Sequence, residues 1–600
     1  MTDDATRHSV TSHQPPSDGE HASEPGQTSA AALDRRDLFR GGATLVVGAA
    51  LGACGKREEP KPAPPAPPPK ASPNAKAMDE LADKVKKQEA ASESMPAVEL
   101  VELTFADLEA RMAAGTDTAR SLVQKYRQRI EAMDQKGPML RSVLELNPEA
   151  DAIADQLDAD RKAGKRRGPL HGIPILIKDN IDTHDKMTTT AGSLALEGSH
   201  AEKDSFVVAK LRAAGAIILG KTNLSEWANF RGMASSSGWS GRGGQCRNPY
   251  ALDRSPSGSS SGSGVAVAAS LCAAAIGSET DGSIVSPSSA NGLVGIKPTI
   301  GLVSRAGVIP LSASQDTLGP MARTVADAAA LLTAIAGPDP ADPVTQEPHK
   351  LRPAAAEDYA KYLDPKALAG ARLGVPRKGF FGRSRGVDAL MNAALAKLKE
   401  LGAVLVDPAE LPGPPELGPA ELEVLSTEMG VYLSKFLAER KDAKIHSLAD
   451  AVQFNQQNAN RELSIFGQEY FEQSVSKKLT DKAYIEARAK CIKITRDQLI
   501  DKVMNEHKLD AFVAATGGPA WLIDPVNGDS GTGVSCSTLP AVSGYAHVTV
   551  PGGQFRGLPV GLSFFGRAYS EGKLISFAYS FEQGTKHRRP PRYLPSAEIV

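Results

Sequence analysis

From about Val98 onward, apolar residues fall in short clusters whose spacing switches between helix-like and strand-like. Thr104, with Asp107 behind it and Leu108 and Met112 following, predicts a capped helix. Val123, Tyr126, Ile130 and Met133 keep helical spacing, and a third helix is predicted after Pro148 up to about Lys162. Gly172 to Asn180 (GIPILIKDN) is a compact apolar run ending in a Lys and an Asp, the pattern of a buried strand. Asp204 to Ala214 reads as a helix and Ala216 to Leu219 as another buried strand. Thr324 to Ile335 reads as a helix leading into a Pro-rich loop, Pro338 to Pro348. Beyond it come a strand at Arg372 to Val375, a helix at Val387 to Leu401 and a strand at Ala403 to Val406. Long helices are predicted over Ala420 to Arg440 and Asp481 to Glu506, then a strand at Asp510 to Ala515. Such alternation predicts an α/β domain around a largely buried sheet. No fixed-period repeat is present, which excludes a solenoid.

The stretch Arg254 to Lys297 breaks this rhythm. Ser and Gly fill Ser257 to Gly264, an Ala-rich apolar segment covers Val265 to Ile276, and a second tight turn follows, Glu279-Thr280-Asp281-Gly282-Ser283, ahead of a short apolar strand. Gly and Ser at this density suit a flexible linker. A linker, however, has no use for a segment patterned for burial. Hydroxyls presented from tight turns, with backbone in close approach to a ligand, explain the composition better.

The first 97 residues are of another kind. Residues 1–54 open with a polar segment lacking periodicity, Met1 to Ala32, which reads as disordered. Arg35-Arg36-Asp37-Leu38-Phe39-Arg40 then precedes an apolar run, Gly41 to Ala53, too short to span a bilayer. A twin Arg before such a run resembles a Tat export signal. Leu51-Gly52-Ala53-Cys54 resembles a lipobox, which implies lipidation of Cys54 and a membrane anchor facing the periplasm or cell exterior. Residues 55–97 form a Pro/Lys-rich spacer, Lys56 to Lys70, and a charged segment, Met78 to Ser94, with little apolar face. The folded body is assigned to residues 98–600.

Composition removes several function classes. With 41% hydrophobic and 23% charged residues the body can form an ordinary core, and a formal net charge of −1 argues against a nucleic-acid surface. Five cysteines without C-x-x-C spacing make neither a disulfide framework nor a zinc site. Neither H-E-x-x-H nor a phosphate-binding G-x-x-x-x-G-K-[ST] occurs, which argues against a zincin or P-loop enzyme. A lone Lys178 at a strand end can bind an anion. It can also serve as a base if burial lowers its pKa from about 10.4.

The Gly172–Asn180 run, the Ser-rich turn and the G-x-[DE]-T-x-G-S turn together resemble the amidase signature family, most closely its bacterial peptide amidase branch. Asn291 to Thr299 and Gly557 to Leu562 add to the likeness, which spans roughly Thr104 to Pro591. The resemblance implies a single catalytic domain with a large central mixed β-sheet covered on both faces by helices. It implies Ser283 as nucleophile, Ser259 as a bridging Ser held by a cis peptide, and Lys178 as terminal base. The backbone N–H groups of Thr280, Asp281, Gly282 and Ser283 would form the oxyanion hole, with Ser260 and Glu279 as supporting residues. Asp281 and Val285 stand where many relatives carry Gly and Arg, which fits the peptide amidase branch and argues against fatty-acid amide substrates. C-terminal peptide amides or small amides are the expected substrates, with no metal and no organic cofactor implied. Gly518 to Trp521 and Asp524 to Asp529 either line the acyl-side entrance or form a packed surface loop with a buried Trp.

Three other readings compete. Gly258-Ser259-Ser260-Ser261-Gly262 fits G-x-S-x-G, with His547 or His587 as partner, but that elbow needs a buried strand before it. Asn248 to Pro256 is polar and turn-prone instead. The amidotransferase component that amidates charged glutamyl-tRNA shares the three residues, yet an export signal does not suit it. A lipoprotein that only binds amides or peptides is the non-enzymatic alternative.

Overall fold

The computed structural model describes residues 98–352 and 357–598. The segment expected to be an export signal, Cys54, the Pro/Lys-rich spacer and the charged segment lie outside the described residues.

Among the described residues, thirteen strands form two sheets. In chain order they are β1 (Val143–Leu146), β2 (Pro174–Lys178), β3 (Ile217–Thr222), β4 (Trp239–Ser240), β5 (Gly244–Gln245), β6 (Ala275–Glu279) and β7 (Val294–Lys297). They continue with β8 (Thr317–Ala322), β9 (Arg372–Gly374), β10 (Val404–Val406), β11 (Ala511–Ala515), β12 (His547–Phe555) and β13 (Leu558–Phe565). Eleven of them make one sheet in the order β1-β3-β2-β6-β8-β7-β12-β13-β11-β9-β10, and β4 pairs only with β5. β3, β2 and β6 run parallel, as do β11, β9 and β10, and antiparallel pairs join the rest. The sheet is therefore mixed, the architecture expected from the sequence.

Every residue of β2, β3, β6, β7, β8, β11 and β13 is buried. Strands without in–out alternation need cover on both faces, which the helices supply. Their apolar stripes do this work: Leu122, Val123, Tyr126 and Ile130 of the helix Ala119–Ile130 are fully buried. Thr104 starts its helix through reciprocal bonds with Asp107, as its spacing suggests.

Three departures from the sequence reading bear on the site. The segment Val265 to Ile276 divides into a helix, Ser261–Ala268, and the strand β6. A helix, Val285–Ala290, intervenes between the Glu279–Ser283 turn and the apolar strand β7. Both long helices pass through wider-turned stretches, at Met429–Leu433 and Lys493–Ile500.

Because β2 and β6 are adjacent and parallel, their C-terminal ends emerge together. Crevices at such ends are where α/β sheets place ligands. Lys178 ends β2 and Glu279 ends β6, so two segments about a hundred residues apart arrive at one point. Among the described residues no helix is long and apolar enough to cross a membrane, and no His/Cys/Asp/Glu group fits a metal ion.

Candidate active site

Lys178 is fully buried, and its Nζ lies 2.7 Å from Ser259 Oγ, 2.9 Å from Ser278 Oγ and 3.2 Å from the Ser278 carbonyl. Burial penalises the ammonium and lowers its pKa to about 7, against the weaker opposing pull of Asp316 and Glu279. Near neutral pH this side chain is therefore divided between charged and neutral forms.

Ser259 follows a cis Gly258–Ser259 peptide bond and is itself fully buried. A Cβ at Gly258 would meet Ser225 Oγ at 2.1 Å, so only glycine fits there. The Ser225 N–H donates to the Ser259 carbonyl at 3.0 Å. Ser260 joins the two Gly/Ser turns. Its N–H donates to the Ser283 carbonyl at 3.1 Å, while its Oγ donates to the Ser278 carbonyl at 3.0 Å and accepts from the Ser278 N–H at 3.2 Å.

Ser283 is 6% exposed, at the end of a turn whose Gly282 has φ +79°. A Cβ on Gly282 would stand 2.9 Å from Ser286 Oγ and 3.0 Å from Ser537 Oγ, so position 282 requires glycine on both counts. Thr280 Oγ1 donates to Asp316 Oδ1 at 2.6 Å, and Asp281 Oδ2 accepts from Thr538 Oγ1 at 2.8 Å. Glu279 turns back onto the next helix, accepting the Ile284 and Val285 N–H groups at 2.7 and 3.0 Å. A carboxylate there suits the positive end of a helix, although burial raises its pKa and only the nearby Lys297 and these N–H groups oppose that.

Sequence reasoning overlooked four polar residues around this centre. Ser278 and Asn180 touch the amine's surroundings, with Asn180 Nδ2 donating to Ser278 Oγ at 2.9 Å. Asp316 also accepts the Leu311 and Ser312 N–H groups, both at 2.8 Å, which fixes it beneath Thr280. Gln315 Nε2 donates to the Thr280 carbonyl at 3.3 Å and to Glu421 at 2.9 Å. Ser278 and Asn180 lie inside motifs already singled out, so the signal was present; Asp316 and Gln315 sit in an unremarkable turn and gave none.

The segment Gly517 to Ser537 meets the surroundings of this centre at three points. The Ser255 N–H donates to the Trp521 carbonyl at 2.7 Å, just ahead of the Ser259 turn. Asp529 accepts from the Ser237 N–H at 3.1 Å and from Trp521 Nε1 at 2.9 Å. At the far end Ser537 lies against Gly282, next to Thr538 and its bond to Asp281. Trp521 is half-buried, and Met233, Leu522 and Val526 stand exposed on the two segments that Asp529 joins.

The α/β-hydrolase elbow is not formed. No strand lies between residues 248 and 256, and His547 sits within β12, its Nε2 bonded to Ser563 Oγ at 2.7 Å. Burial lowers its pKa to about 3, so it stays uncharged.

Residues 121–575 match the sequence pattern of the family described as Amidase. A probable amidase of Arabidopsis thaliana is 39% identical over 503 residues, covering 82% of this chain and 92% of that protein. A glutamyl-tRNA(Gln) amidotransferase component from Symbiobacterium thermophilum is 36% identical, over 72% of this chain and 87% of its own. Among solved structures, the native peptide amidase from Stenotrophomonas maltophilia is 50% identical with a TM-score of 0.77, covering 82% of this chain and 98% of that one. The peptide amidase complex with the competitive inhibitor chymostatin is 51% identical with a TM-score of 0.79, covering 82% and 99%. Sequence, fold and relatives agree that the chain belongs to the amidase signature family and is an amide-hydrolysing enzyme similar to bacterial peptide amidase.

Proposed function

We propose that the enzyme hydrolyses C-terminal peptide amides or small carboxamides through Ser283, Ser259 and Lys178. The observation that carries this reading is a fully buried amine with a pKa near 7, 2.7 Å from a serine hydroxyl. Ser283 Oγ attacks the amide carbon as its proton passes to Ser259 and the Ser259 proton passes to neutral Lys178. The carbonyl oxygen becomes an oxyanion, received by backbone N–H groups of the Thr280–Ser283 turn. On collapse the C–N bond breaks, and the proton returns from Lys178 through Ser259 to the leaving nitrogen, which departs as ammonia or an amine. Water then repeats the sequence on the ester, releasing the carboxylic acid and restoring Ser283. Ser260 and Glu279 hold the two turns in place without touching the reacting atoms.

Ammonia release from a panel of amidated peptides and small amides tests the substrate class; hydrolysis of neither would reject it. The amidotransferase reading rests on relatives near 36% identity, whereas the peptide amidases stand at 50–51%. A protein that only binds peptides would leave a buried amine of lowered pKa against Ser259 without a use.

The segment Gly517 to Ser537 is proposed as the acyl-side entrance, with Asp529 holding its two edges together. Asp529→Ala is expected to raise KM for peptide amides about tenfold, a loss of about 1.4 kcal/mol. Hydrolysis of a small aliphatic amide should change less than about twofold. Equal losses on both substrates would place Asp529 outside peptide recognition.

For location we propose export by the Tat machinery and anchoring through a lipidated Cys54. The support is the order Arg35-Arg36, apolar run, Leu51-Gly52-Ala53-Cys54. Mass spectrometry of the mature protein should find Cys54 at the N-terminus carrying acyl mass, and an unmodified chain retaining the twin Arg would refute it.

A further inference from the structure

Three acceptors surround the Lys178 amine, and two of them belong to one residue. Ser259 Oγ lies at 2.7 Å, Ser278 Oγ at 2.9 Å and the Ser278 carbonyl at 3.2 Å. A protonated amine has three hydrogens to give, one to each. A neutral amine has two hydrogens and one lone pair. If both hydrogens go to Ser278, the lone pair is left facing Ser259, the direction from which a proton must come. Both protonation states then satisfy every bond, and only the Ser259 contact reverses.

Ser278 is fixed independently of the amine. Asn180 Nδ2 donates to its Oγ at 2.9 Å, and Ser260 bonds both its N–H and its carbonyl. Ser278 also borders open space. With Asn180 and Thr280 it lines a cavity of about 900 Å³, whereas Lys178 and Ser259 do not reach that cavity. Its 8% exposure against 0% for both of them marks Ser278 as part of the wall between amine and water.

We propose that Ser278 is a positioning residue for the base: it takes both hydrogens of the neutral amine, turns the lone pair toward Ser259 and keeps cavity water away. The inference rests on Lys178 being the base. The charged groups that face the amine are Glu279 at the end of β6 and Asp316 ahead of β8, both favouring its protonated form. Lys297 on β7 lies beyond Glu279, and Asp179, next along from Lys178, is bonded to Thr190 and set near Lys221 and Arg242. Replacing Ser278 removes none of these charges. A change in the amine's titration would therefore report its hydration and hydrogen bonding.

The test is kcat/KM against pH on one amidated peptide for the whole enzyme, Ser278→Ala and Ser278→Thr. Ser278→Ala should lower kcat about 100-fold at pH 7 with KM within about threefold, a size usual for a misdirected general base. Its acid limb should move up by about one pH unit, because water reaching the amine relieves the desolvation that holds the pKa down. Ser278→Thr keeps the hydroxyl and should restore both the limb and most of the rate. An unmoved limb in Ser278→Ala, or a Thr variant as impaired as Ala, would overturn the proposal. If Ser278→Ala does not fold, Asn180→Ala supplies the same reading, a smaller upward move, since Asn180 lines the same cavity wall and its loss lets water toward the amine. Activity that survives Lys178→Ala would instead remove the base itself, a result distinct from a Lys178-dependent enzyme whose limb ignores Ser278.

Discussion

Ser283→Ala is expected to abolish covalent labelling by a fluorophosphonate and to lower kcat for a peptide amide by at least about 10⁴-fold. The loss is this large because no other hydroxyl replaces the one that bonds to the acyl carbon. Ser259 is fully buried and bonded to Lys178, and Ser260 Oγ is committed to Ser278. Folding should be unaffected, since the bonds that hold the turn use other atoms. The Ser260 N–H reaches the Ser283 carbonyl, and Glu279 receives the Ile284 and Val285 N–H groups, whatever the side chain at 283. Peptide mapping of the labelled wild-type enzyme should place the adduct on residues including Ser283. A labelled Ser283→Ala protein with wild-type turnover would assign the nucleophile elsewhere.

Such predictions rest on residues that the sequence exposed to very different degrees. The buried strands β2, β3 and β11 were legible because their apolar runs are short, uninterrupted and bounded by polar residues. The hairpin β12–β13 was not. Its turn is Arg556-Gly557, both at positive φ, and an Arg in the first of these positions carries none of the Asn or Asp signal that marks such turns. The helix Val285–Ala290 escaped notice because Pro287 and three serines disguise it, and its start is capped by Glu279, which precedes it by six residues. The candidate site shows the same division. Lys178, Ser259 and Ser283 could be named from motifs, while Asp316 and Gln315 reach the Thr280 turn only through the antiparallel pairing of β6 with β8, whose Glu279–Thr317 register sets Asp316 beside Thr280. Asp281 illustrates a further limit: the sequence marked it as unusual, and only the structure supplies its partner, Thr538.

The second large effect belongs to Lys178. In the wild-type enzyme kcat/KM should fall about tenfold per pH unit below a limb near pH 7, where protonation removes the base. Lys178→Ala should lower kcat/KM about 10³-fold at pH 8 and erase that limb, leaving a shallow rise with hydroxide. Replacing Lys178 should act on stability in the opposite sense, raising it. The amine titrates near pH 7 in the folded chain and near 10.4 when unfolded, so between these values the unfolded chain binds the extra proton. Wild-type stability therefore gains from Lys178 as pH rises through that window, and below pH 7 the full cost of burying the ammonium remains. Lys178→Met fills the same space without a charge. Its advantage over wild type should be largest near pH 6.5 and shrink by about 1.4 kcal/mol for each pH unit above 7. Lys297, lowered to about 8 by burial, titrates in both proteins and drops out of the difference. Urea unfolding of the two at pH 6.5 and 9.5 reads this directly. A difference that stays flat between those pH values would mean the amine is not held neutral by the fold, and an uncharged Lys178 would then be unable to explain turnover at neutral pH.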